Sequence, residues 1–220
     1  GIVAGCITST GLASKLLRAI VSASGGVMIV ALLLTMLCCI VLGMGVPTTA
    51  TYCIMAATCA PILMSPEIGV EMLAAHFFVF YFGIVADITP PVALAAYAGA
   101  AIAKAGPMKT AFNASRLAIA AFIVPYIIAM NPAMLFINTT IPEVVMITIT
   151  SIIGIFGVAA GLSGFVFRNM KWWERILCIV GGLTLLVPGS LTDLIGLVLV
   201  GAVCVLGYQA AKREKEALAA

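Results

Sequence analysis

The sequence predicts an all-α protein that crosses a membrane several times. Two observations carry this reading. Hydrophobic residues make up 64% of the 220 positions and charged residues 9%, whereas a soluble domain carries about 25% charged residues. The apolar stretches are also long and continuous, without the short alternating runs of a membrane β-barrel. In hydrocarbon a chain must satisfy its own backbone polar groups, which leaves helices as the spanning elements. The formal net charge of +3 is scattered between apolar runs, and no nucleic-acid partner is expected.

The chain opens at Gly1 and enters apolar sequence directly, with no charged leader region and no cleavage pattern. It therefore reads as a portion of a larger product and not as a signal peptide. A full span needs about 20 apolar residues. Gly25 to Leu42 and Thr51 to Met64 are each somewhat short, and Gly43-Met44-Gly45-Val46-Pro47-Thr48-Thr49 separates them. Glycine and proline break the helix there. The pair predicts a re-entrant hairpin over about residues 25–64. Met72 to Ala103 is too long for one span and is interrupted by Ala86-Asp87-Ile88-Thr89-Pro90-Pro91. Each proline disfavours helix at the residue before it, so two half-helices are expected, near 72–86 and 92–103, with extended backbone between them. Arg116 to Leu135 predicts a helix kinked at Pro125. Val144 to Phe167 predicts a span. Ile176 to Val187 and Leu191 to Tyr208 predict two more elements, parted by Pro188-Gly189-Ser190, and a charged helical tail follows over 209–220.

Lysine and arginine concentrate on the cytoplasmic side of membrane proteins. Here they fall at Lys104, Lys109 and Arg116, then at Arg168, Lys171 and Arg175, then at Lys212, Arg213 and Lys215. The loops 65–71, 136–143 and 188–193 between them carry acidic residues and no basic ones. This alternation places the C-terminus in the cytoplasm and makes the broken helix a single crossing. It conflicts with the hairpin at one point: Lys15 and Arg18 then fall near the outer face, unless they belong to an amphipathic segment.

Asp87 is the residue with most chemistry to explain. An ionised carboxylate in hydrocarbon costs about 3 kcal/mol or more, so it must face protein, water or a cation. Pro90 and Pro91 donate no N–H, which is expected to free carbonyls near residues 84–88. Those carbonyls, the Thr89 hydroxyl and Asp87 are hard oxygen donors suited to a small cation such as Na+. The Gly43–Thr49 loop is the expected complement. Gly43 and Gly45 permit a tight turn and close approach, and Thr48 and Thr49 are expected to cap the following arm. The N-terminus of that arm suits an anion such as a substrate carboxylate. Two interrupted segments together are a pointer to a transporter site.

Other candidates read as structural. The seven cysteines lie in apolar runs without a C-x-x-C spacing and read as small buried hydrophobes. His76, the single histidine, has no second ligand at metal spacing and is read as interfacial or hydrogen-bonded. Asp193 is read as a helix cap. Trp172 and Trp173 beside basic residues read as an interfacial belt.

The segments Gly43-Met44-Gly45-Val46-Pro47-Thr48-Thr49-Ala50, Ala75-His76-Phe77-Phe78-Val79-Phe80-Tyr81-Phe82 and Ala86-Asp87-Ile88-Thr89-Pro90-Pro91-Val92-Ala93-Leu94-Ala95 closely resemble the large permease subunit of TRAP transporters. The C-terminal extension is similar to that of the fused type, in which small and large membrane subunits form one chain. The likeness is strong over residues 1–137. Residues 138–208 look like the extra helices of that type. The resemblance implies the C-terminal half of an inverted-repeat, elevator-type fold. It implies a cation-coupled importer of organic acid anions, in a prokaryotic cytoplasmic membrane, fed by an extracytoplasmic solute-binding protein. No cofactor beyond a coupling Na+ is implied. The implied cation and substrate residues are Gly43, Gly45, Pro47, Thr48, Thr49, Asp87, Thr89 and Pro90, with Asp87 and Thr89 on the ion. The matching N-terminal half is not in this sequence, so the portion alone is not expected to transport.

Two readings compete with this one. An intramembrane enzyme needs a catalytic dyad or metal set, and none is visible in the sequence. A channel or structural subunit has no need of a broken helix carrying Asp87 beside a glycine-proline loop.

Overall fold

The computed structural model describes residues 2–187 and 189–219. Gly1, and Pro188 of the expected Pro188-Gly189-Ser190 break, lie outside the described residues. All regular elements among those residues are helices, and the chain divides into two compact units, Gly1–Leu135 and Phe136–Ala220.

The first unit opens with helix α1 (Ile2–Ser9) and helix α2 (Leu12–Ser24). Gly11 and Gly25 bracket α2 in left-handed backbone, with φ of 64° and 57°. Leu16, Leu17, Ile20 and Val21 of α2 pack into the core while Lys15 and Arg18 are exposed. These two cations thus sit on the polar face of an amphipathic helix, the alternative that relieves the charge conflict.

Two arms follow. Helix α3 is Met28–Gly43, and the second arm is α4 (Thr48–Thr58) continued by α5 (Ala60–Leu63). The 16 residues of α3 span about 24 Å at 1.5 Å per residue, short of the roughly 30 Å of bilayer hydrocarbon. Gly45, with φ 70°, turns the chain between the arms.

Helix α6 (Met72–Val85) is the centre of this unit. Glu71 starts it by accepting from the backbone N–H groups of Leu73 (2.7 Å) and Ala74 (3.2 Å), two of the donors a helix start leaves unpaired. Phe78 and Phe82 are fully buried. Their ring centroids lie 4.8 Å apart with the planes tilted by 59°, and both rings meet Tyr126 edge-on at 5.3 and 5.8 Å, a favoured aromatic geometry. Cys39 and Cys59 are buried in the same core. Cys59 lies 3.8 Å from Cys38, sulfur to sulfur.

After α6 the chain makes a 3-10 turn, Ala86–Ile88, then enters α7 (Leu94–Ile102) through left-handed Ala93. Thr89 is extended (φ −104°, ψ 128°), and residues 90–92 form a turn. The break is therefore a tightly turned segment, where extended backbone was expected. Helix α8 (Pro107–Leu117) packs back on α7, and α9 (Ile119–Met130) follows at a 42° bend. Pro125 lies inside α9, and the bend falls at Ala118, where the backbone leaves helical geometry (φ −86°, ψ 17°).

The second unit holds α10 (Ile141–Ser163), α11 (Trp172–Thr184) and α12 (Ser190–Ala219). By length and composition Ile141–Ser163 and Leu191–Lys212 suffice to cross a membrane. Glycines set the packing of α10 on α11. A Cβ on Gly182 would lie 2.6 Å from the Gly154 carbonyl oxygen, and one on Gly161 would lie 2.8 Å from that of Arg175. Small residues permit such close approach where lipid offers no hydrophobic drive for helix association. Glu174 is buried, pairs with Arg168 at 2.5 Å and accepts from the Lys171 N–H at 2.8 Å. Arg175 donates to the carbonyls of Gly161 (2.9 Å) and Leu162 (3.0 Å) at the end of α10. Asp193, expected as a cap, stands in the first turn of α12. Thr192 makes the bonds there, to the carbonyls of Val187 (2.9 Å) and Gly189 (2.6 Å).

Candidate functional site: the helix break and the hairpin loop

The local sequence dictates how the break satisfies its backbone. Pro90 and Pro91 lack N–H groups, so the carbonyls three and four residues upstream need other donors. The Thr89 hydroxyl donates to the Val85 carbonyl at 2.6 Å, and the Thr89 N–H donates to Ala86 at 3.3 Å. The Ala86 N–H donates to Ile84. Ser115, from α8, donates to the Ile88 carbonyl at 3.0 Å. The expectation of free carbonyls over 84–88 is thus corrected: Ile84, Val85, Ala86 and Ile88 each accept a bond. Asp87 is different. Its own carbonyl faces Pro90 and Pro91 in the two positions from which a helical donor would come. Its carboxylate has no hydrogen bond or ion pair among the described residues, and the residue is half-buried.

The break therefore carries three hard oxygen donor groups on two residues, Asp87 and Thr89. They are the Asp87 carboxylate, the Asp87 carbonyl and the Thr89 hydroxyl oxygen, whose proton is already committed to Val85. This donor set fits a small alkali cation. No three His, Cys, Asp or Glu side chains cluster among the described residues. Pro90 is half-buried beside these oxygens and joins Pro91 through a cis peptide.

The hairpin reaches the break through Gly43. This residue is buried at the C-terminal end of α3, and a Cβ placed on it would lie 2.9 Å from the Ala86 Cβ and 3.3 Å from the Gly83 carbonyl oxygen. Only glycine lets α3 come this close to the residue before Asp87. From the other arm, Thr51 and Met55 of α4 pack on Gly83.

The remaining loop residues sit differently from expectation. Pro47 is the N-cap of α4 (φ −57°, ψ 142°) and offers no side-chain cap. Thr48 and Thr49 are exposed in the first turn and do not cap the arm. A capping residue must precede the first turn, and proline occupies that place. The loop is held instead by Thr51, which donates to the Val46 carbonyl at 3.1 Å. No side-chain bond joins Thr48 or Thr49 to Asp87 or Thr89 among the described residues. The structure brings Gly43 to the break, while Gly45, Pro47, Thr48 and Thr49 form the exposed turn and helix start above it.

Sequence reasoning missed Ser115 and Tyr97. The Tyr97 hydroxyl bonds the Pro91 carbonyl. A serine in a polar helix and a tyrosine in an apolar one carry no signal that they bond carbonyls of the break, 27 and six residues upstream. The His76 Nδ1 and the Tyr52 hydroxyl share a hydrogen bond at 3.1 Å, which ties α6 to α4.

A family model described as "Tripartite ATP-independent periplasmic transporter, DctM component" matches residues 1–144. A model for a domain of unknown function, DUF3394, matches residues 144–199. No curated protein and no solved structure matches the chain.

Proposed function

The chain belongs to the DctM component family of tripartite ATP-independent periplasmic transporters, and from that premise we propose that its break and hairpin serve as a cation-coupled site for importing organic acid anions. The family makes it a membrane permease component, and its apolar helices agree with that. One observation carries the proposal. The close approach of Gly43 to Ala86 joins the hairpin to the segment that holds Asp87 and Thr89.

Asp87 supplies the charge that a coupling cation requires, and Thr89 supplies a second oxygen whose orientation its bond to Val85 holds. Sodium, when bound there, supplies positive charge that favours an anionic substrate nearby. The first turn of α4, with Thr48 and Thr49, exposes backbone N–H groups that suit a substrate carboxylate. The irregular backbone at the break is tolerable at membrane depth only where protein or a water-filled cavity surrounds it, which fits a permeation path. An extracytoplasmic solute-binding protein delivers the substrate, and the N-terminal permease half completes the pathway. The family supports a prokaryotic cytoplasmic membrane location, and the charge alternation supports a C-terminus in the cytoplasm.

The test is uptake by the full-length permease in proteoliposomes, with its binding protein and an imposed Na+ or H+ gradient. Asp87→Asn and Thr89→Ala are expected to abolish or weaken ion-dependent uptake at unchanged expression. Unaltered uptake and ion dependence in both variants would refute the assignment.

A further inference from the structure

We infer that Ser115 is a positioning residue for the cation site, acting through the peptide that joins Ile88 to Thr89. This inference rests on the proposed cation site and extends it to a residue 27 positions away in sequence.

Ser115 lies on α8, and its hydroxyl donates to the Ile88 carbonyl at 3.0 Å. Its place is prepared by packing. Ala93 and Ala96, at the start of α7, form a small buried cluster with Ala111 of α8, and Tyr97 and Ala114 pack against it. Alanine at these places lets the two helices approach, and Ser115 stands one turn beyond Ala111. The carbonyl it holds belongs to the peptide plane that carries the Thr89 N–H. A peptide unit is rigid, so fixing its oxygen also fixes the direction from which Thr89 leaves the 3-10 turn. Ile88 is the residue between Asp87 and Thr89. A bond at that point therefore sets how the two proposed ligand residues stand to one another.

The serine has a second acceptor within reach, the Ala111 carbonyl of its own helix at 3.1 Å. One hydroxyl proton favours one of these acceptors at a time or is shared between them. Ser115 can thus release Ile88 without leaving its own hydroxyl unpaired, so the clamp is adjustable. A purely structural serine at this place would need only the bond to its own helix. The bond to the break is what assigns it to the site.

The experiment is equilibrium binding of radiolabelled sodium to purified full-length permease, which needs no substrate. Ser115→Ala is expected to raise the Kd by roughly three- to tenfold, the range for one lost hydrogen bond, with the number of sites unchanged. Ser115→Thr keeps the hydroxyl and is expected to restore the wild-type Kd. Equal Kd in wild type and Ser115→Ala, with sodium bound by both, overturns this inference alone. A fall in the number of sites at constant Kd also overturns it, because that marks misfolded protein and not a misplaced ligand. Wild-type permease that binds no sodium overturns the sodium reading and this inference with it.

Discussion

At the residue scale, space decides more than charge. The Cβ of Ala86 leaves room at Gly43 only for hydrogen. Gly43→Ala is expected to destabilise the unit by about 1–3 kcal/mol, the usual cost of overpacking, and to lower the thermal midpoint in detergent. Adding Ala86→Gly removes the atom in conflict, so the double variant is expected to recover most of that loss. If it stays as unstable as Gly43→Ala, the close approach is not what the glycine serves. Gly45 has the opposite character. Nothing lies within 4 Å of a Cβ there, but its φ is +70°. Gly45→Ala is expected to cost roughly 1–2 kcal/mol through backbone conformation alone. Gly45→Asn is expected to cost less, because asparagine tolerates left-handed backbone better. Both are read by the same thermal midpoint.

At the element scale, α6 and the α10–α11 pair are held by different means. The buried rings of Phe78 and Phe82 join α6 to Tyr126 on α9. Tyr126 also reaches across to α3, where its hydroxyl meets the Met36 sulfur at 3.1 Å. Phe82→Ala is expected to cost about 3–5 kcal/mol in thermal unfolding, as for other large-to-small changes in a packed core. Tyr126→Phe is expected to cost far less, since it keeps the ring and loses one weak bond. Between α10 and α11 the contact is backbone against backbone. Gly182→Leu is expected to disrupt the pair, because its Cβ would lie 2.6 Å from the Gly154 oxygen. Gly201→Leu on α12 meets nothing within 4 Å and is expected to be tolerated. Comparable loss of folded protein in both variants, measured by thermal unfolding in detergent, would count against this account.

At the scale of the whole molecule, the chain is two compact units that meet in sequence near residue 136. The matched families divide close by, at residue 144. Topology is open to a direct test in a cysteine-free background. The proposed orientation puts the 136–140 connection outside and the loops at Lys104 and Asn169 inside. Asn138→Cys is then expected to react with a membrane-impermeant maleimide in intact cells. Lys104→Cys and Asn169→Cys are expected to react only after permeabilisation. Labelling in the reverse order would overturn the orientation.

The sequence by itself determined the class of molecule, the existence of both interruptions and the standing of Asp87. These follow from composition and from local covalent facts: proline lacks an N–H, and a carboxylate is costly in hydrocarbon. The Gly43–Thr49 loop and the Asp87–Pro91 break were legible for the same reason. Partnership was not. The tertiary structure decided that Gly43 meets Ala86, that Thr51 and not Thr48 or Thr49 holds the loop, and that Ser115 takes the Ile88 carbonyl. It also placed a bend of 42° at Ala118, inside the stretch expected to be one helix. Proline tells where a helical hydrogen bond must be missing. Which group replaces that bond depends on what the rest of the chain folds against it.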